Sequence, residues 1–136
     1  MNPLVQKKLS ILIHLANIDG EFAKVEKSFI YDIAERNGVT KDEIAALMEE
    51  PDAIGSLGAL SYNKAVEYMC DSLSLMIIDE KVLPSEIILC EDIALRLGFH
   101  KRDIDSIIDA LKNNTWQSAK QIEKSIRSLP HPAKIS

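Results

Sequence analysis

The sequence is poor in the residues that staple or cofactor-load a small chain. It has only two cysteines and three histidines in 136 residues. Cys70 and Cys90 lie apart in apolar surroundings, with no C-x-x-C unit and no metal-ligand spacing, so they read as buried free thiols. His14, His100 and His131 are scattered, without the H-x-x-x-H or H-E-x-x-H spacing of a zinc site. Aromatics make up 5%, too few for the stacking platforms that hold single strands. Bases are also short, 16 against 21 acids, for a net charge of -5. Nucleic-acid binding relies on lysine and arginine neutralising phosphates, so the balance argues against it. No apolar run reaches the eighteen or so residues that a membrane helix needs. Lys7 and Lys8 before Leu9–Ile18 have the outline of a signal peptide, but His14 and Asn17 interrupt the run and no small-x-small site follows. The expectation is one soluble, acidic, cytoplasmic domain. Its 46% hydrophobic content is enough for a core without disulfide or metal.

What is present is helical periodicity. Leu9, Leu12, Leu15 and Ala16 form one stripe, and Phe29, Ile30, Ile33 and Ala34 another. Tyr68, Met69, Leu75 and Met76 continue it, as do Leu89, Cys90, Ile93, Ala94 and Leu97. Thr40-Lys41-Asp42-Glu43 is a capping box that opens a helix through Glu49. Gly38 and Gly98 stand where helices stop, and Pro84 suits a first turn. Pro51, Gly55 and Gly58 mark 50–60 as a connector between two halves. A final helix is expected over 116–128, begun by Trp116 as a core plug, before a tail at 129–136. The fold expected is an all-α bundle of about seven helices.

Shifted by sixty positions, the chain matches itself. Residues 15–44 and 75–104 share Leu15/Leu75, Ile18/Ile78, Asp19/Asp79, Glu26/Glu86, Asp32/Asp92, Ile33/Ile93, Ala34/Ala94, Arg36/Arg96, Gly38/Gly98, Lys41/Lys101 and Ile44/Ile104. That is eleven identities in thirty positions, where chance gives about two. Two three-helix repeats, 9–49 and 69–112, are expected to pack about a pseudo-twofold axis. Most of the recurring positions need only caps and core to explain them, and Asp32→Arg36 and Asp92→Arg96 are ordinary i,i+4 pairs.

Asp19 with Glu26, and Asp79 with Glu86, ask for more. Each falls on the core side of its helical register, so four carboxylates are expected to point inward at two helix–loop–helix corners. Ionised carboxylates about 4 Å apart repel by about 4 kcal/mol at an effective dielectric near 20, and such a group wants a cation, a shared proton or basic partners. The plainer reading is local: a first-turn glutamate bonding back to a free N–H, and a loop aspartate capping its own turn. Recurrence of the pair at one spacing keeps both readings open. An EF-hand is not one of them, because Leu15 and Leu75 occupy the first ligand position of the calcium loop.

Ala16-Asn17-Ile18-Asp19-Gly20-Glu21-Phe22 followed by Glu26, with the echo Ile78-Asp79-Glu80, Pro84 and Glu86, resembles the TerB-like family. That family takes in tellurite-resistance TerB proteins and the related N-terminal domain of the co-chaperone DjlA. The resemblance spans residues 5–128. It implies an all-helical, non-enzymatic module whose acidic cluster holds a divalent metal, acting in tellurite and stress responses and in protein assemblies at the inner face of a membrane. Carried over by residue, the metal ligands would be Asp19, Glu26, Asp79 and Glu86. Glu80 stands where the first repeat has Gly20, a departure that sets the corners apart. No J-domain follows, so co-chaperone activity is not carried over.

Oxygen donors favour calcium, magnesium or manganese over zinc. No P-loop, G-x-G-x-x-G, G-x-S-x-G or Glu-x-x-His pair accompanies the carboxylates, and no nucleophile is paired with them. The expectation is therefore a metal-binding accessory module with protein partners, with a metal-independent interaction scaffold as the alternative.

Overall fold

The computed structural model describes residues 1–79, 81–113 and 117–134. Among them the chain forms seven helices and no strand. They are α1 (Pro3–Asn17), α2 (Lys24–Arg36), α3 (Lys41–Glu49), α4 (Tyr62–Ile77), α5 (Pro84–Leu97), α6 (Lys101–Asn113) and α7 (Ala119–Arg127).

The helices start where side chains can satisfy their free amides. Asn2 Oδ1 accepts from the Leu4 N–H at 2.8 Å, and Ser61 Oγ from Lys64 at 3.2 Å. Thr40 and Glu43 exchange both bonds of the expected capping box, at 3.2 and 3.0 Å. Ser118 and Gln121 form a second one at 3.2 and 2.7 Å. That box corrects the final helix, which begins at Ala119 and not at 116, because Ser118 and Gln121 together satisfy its first free amides. Trp116 and Glu80, like the last two residues of the tail, lie outside the described residues. The first and fourth helices begin ahead of the expected repeat bounds, at Pro3 and Tyr62.

At the stops, α5 ends on Gly98 in the left-handed region, φ +98°, and α2 is followed by Gly38 at φ +72°. The two ends are finished differently. His131 Nε2 lies 2.6 Å from the Leu97 carbonyl oxygen, and its ring meets Phe99 and Tyr62 edge-on at 4.7 and 5.4 Å. Gly38 has open space beside it.

The core is built on α1 and α4, which pack on each other. α1 also carries α2 and α3, and α4 carries α5, α6 and α7. Leu9, Leu12, Leu15, Ile30 and Ile33 from the first half meet Tyr68, Met69, Leu73, Met76, Cys90, Ile93 and Ile104 from the second in one buried cluster. Each such aliphatic side chain contributes about 1.5–3 kcal/mol by leaving water. Lys8 is carried into this interface at 6% exposure, its Nζ 2.8 Å from Glu67 Oε2 and 2.9 Å from Asp71 Oδ2 of α4.

The connector is strapped down along its length. Leu57 is buried, the Asp52 N–H donates to Ser10 Oγ at 3.2 Å, and His14 Nε2 lies 2.7 Å from the Asp52 carbonyl. Arg96 of α5 donates to the carbonyls of Ile54 and Gly55 at 2.8 and 3.0 Å. Both cysteines are free and buried, as their setting in the sequence implies. Burial, then the Asp71 charge, pushes the Cys70 thiol up to about 11, and burial raises Cys90 further, so neither is a ready thiolate. No described helix is long and apolar enough to cross a membrane.

Candidate functional site

The two corners repeat bond for bond. In the first, the short loop after α1 leads into α2, whose third residue is Glu26. Its Oε1 accepts from the Ala23 N–H at 3.1 Å. In the second, Glu86 is the third residue of α5, and its Oε1 accepts from the Leu83 N–H at 3.0 Å. These are half capping boxes: alanine and leucine at the cap have no side-chain acceptor to return the bond. In the loops, Asp19 Oδ1 accepts from the Glu21 N–H and Asp79 Oδ1 from the Lys81 N–H, each at 3.0 Å. The aspartates thus turn back on their own backbone two residues on.

Glu26 and Glu86 are both 4% exposed, while Asp79 is half-buried and Asp19 exposed. The expectation of four inward carboxylates therefore holds for the glutamates and is corrected for the aspartates. Asp19 stands two residues past the end of α1, where the chain has left the helical register that would have aimed it at the core. The local reading accounts for one oxygen of every carboxylate.

The aspartates nevertheless act on the two glutamates. Burial pushes the Glu86 carboxyl up to about 7; the Leu83 N–H works against it, and the charges of Asp79, Glu26 and Asp19 add to it. Glu26 is raised in the same way, by burial against the Ala23 N–H, with Asp79 and then Asp19 adding repulsion. So Glu26 is influenced by an aspartate of the other corner. The two corners form one acidic region.

The donor set is all oxygen, which suits a hard cation such as calcium, magnesium or manganese. The geometry is not a finished shell. Among the described residues no three His, Cys, Asp or Glu side chains stand ready to hold a metal ion. A cation would have to draw Asp19 and Asp79 out of their turns.

The sequence did not single out Lys8, whose ammonium lies between Glu67 and Asp71. Burial works against its charge, but Asp71 and Glu67 outweigh that and hold it above its ordinary value. Its helical register with Leu12 and Leu15 was the available signal, masked by its place beside Lys7. His14 and His131, with no ligand spacing, bond to backbone carbonyls. No family model, curated protein or solved structure compared with the chain matches it.

Proposed function

We propose that this chain is a TerB-like, non-enzymatic accessory module that takes up a divalent cation through Asp19, Glu26, Asp79 and Glu86. The cation is calcium, magnesium or manganese in preference to zinc, and the module serves cytoplasmic tellurite- or stress-response systems together with protein partners. One observation carries the reading: two glutamates buried at corresponding corners, both raised by burial and by repulsion from the same aspartates. A bound cation would relieve that repulsion and tie α2 to α5 across the two halves. The buried glutamates would be the fixed ligands and the loop aspartates the ones that move.

A second reading, a metal-independent interaction scaffold, is favoured by the local bonds that already engage Asp19 and Asp79. Thermal melting separates the two. With calcium, magnesium or manganese at a hundred times its dissociation constant, the wild type should gain about 2.7 kcal/mol, and Asp19→Asn/Glu86→Gln should gain nothing. Equal shifts in the two proteins, or none in either, sink the metal reading and leave the scaffold.

A further inference from the structure

The two halves carry matching second helices but hold them differently. α5 packs against α1, α4 and α6, whereas α2 has a substantial partner in α1 alone. Three couplings of α5 account for the difference. Lys101 Nζ of α6 lies 3.6 Å from Glu91 Oε2 of α5 and 3.8 Å from Asp105 Oδ2. Sixty positions earlier stand Lys41, Tyr31 and Ala45, so Lys41 has no acid at either matching position. An open groove of about 800 Å³ lies between α2 and α3 instead. Arg96 holds the connector by the carbonyls of Ile54 and Gly55, while Arg36 Nε turns to the Asp32 carbonyl of its own helix at 3.3 Å. His131 closes the end of α5 on the Leu97 carbonyl, and the matching place beside Gly38 is open.

The chain on either side of α2 is also free to turn. Gly20 and Gly38 flank it, at φ +82° and +72°, each with open space where a Cβ would stand. Glycine moves between such conformations and ordinary ones at little cost, and a hinge is a few loop positions that absorb a change in φ and ψ. The second half has Glu80 in place of the first glycine and the His131 ring against the second. Local opening is easiest where buried apolar contacts are few. Where α5 buries Leu97 in its last turn, α2 has already ended at Arg36, and Asn37 is exposed.

We propose that α2 is a hinged lid, which swings off α1 about Gly20 and Gly38 while the rest of the fold stays in place. α3 remains behind because Ile44 and Leu47 anchor it in the core that α1 carries. The opening uncovers the apolar side of α1 that Ile30 and Ile33 cover when the lid is shut. The closed form is the one described above, with Glu26 at the first corner. The lid opens without any cation, so its test and that of the cation reading succeed or fail separately.

Native-state hydrogen exchange of the full chain in chelator, read by NMR, tests this at matched amides. Ile30, Ile33 and Ala34 of α2 correspond to Cys90, Ile93 and Ala94 of α5. After correction for intrinsic rates, the α2 amides should exchange at least about tenfold faster than their α5 partners. Their rates should also respond less to low urea, because a local opening exposes less surface than global unfolding. Equal protection with equal urea dependence in the two helices overturns the proposal, as does faster exchange in α5. Arg96→Ala/His131→Ala then strips α5 of two of its couplings. The gap should narrow from the α5 side, with the α2 rates unchanged. A gap that persists in the folded variant also overturns the proposal, since the couplings that α2 lacks would then not be what keeps α5 shut. The wild-type comparison decides by itself if the variant does not fold.

Discussion

Glu86 reverses the usual relation between a carboxylate and acid. Its pKa is raised on folding to about 7, above the ordinary glutamate value. Between the two values the folded chain binds more protons than the unfolded one, so stability falls as pH rises through that window. Without metal the protein should therefore melt higher at pH 5.5 than at pH 7.5, by on the order of 1 kcal/mol or about 3 °C. Glu86→Gln keeps an acceptor for the Leu83 N–H and removes the charge. It should flatten this dependence and raise stability above neutral pH, as melting curves across the range would measure. A wild type that loses stability between pH 7.5 and 5.5 would contradict the assignment. Which residues could form the site was legible in the sequence, because spacing and register fix a glutamate in a helix's first turn. The aspartates' direction was not. Each belongs to a loop, where two dihedrals per residue decide orientation and periodicity carries no information.

Among the elements, α2 and α5 have alike sequences but different ends. An alanine at position 98 would meet His131 Nε2 at 2.7 Å as well as adopting a φ of +98°. At position 38 the methyl group would meet nothing, leaving only the cost of φ +72°. Gly38→Ala should thus cost about 1 kcal/mol and Gly98→Ala about 2 kcal/mol or more in urea unfolding. His131→Ala should recover part of the second loss and none of the first. Glycine stops and the Thr40 box were readable because each is a local device with its own chemistry. The start of α7 is set by Ser118 and Gln121, which exchange both bonds of a capping box three residues apart. The contact of His131 with the end of α5 joins residues 34 apart in the chain, beyond any local pattern.

For the molecule as a whole, the join between halves rests on α1 against α4, with the Lys8 ammonium held inside it. Lys8→Met keeps most of the stem's packing but leaves Asp71 half-buried without its cation. The expected cost is about 2 kcal/mol by urea unfolding, below the range for fully buried pairs because Glu67 and Asp71 retain some access to water. Adding Asp71→Asn should return part of it. Unchanged unfolding in the single variant would show that apolar packing alone joins the halves. Composition and stripes were enough to read an all-helical fold. This ion pair was not legible, since Lys8 and Glu67 stand 59 residues apart.

That separation also has a meaning in time. At about 5–20 residues per second, a ribosome needs roughly 3–12 s to go from Lys8 to Glu67. Throughout that interval α1, apolar at Leu9 and over Ile11–Ile13 and holding a lysine meant for the interior, exists without the helix that covers it. α2, α3 and the connector at Asp52 are its early company. The lysine that the finished fold conceals is, for those seconds, a charge in water on the face most exposed to aggregation.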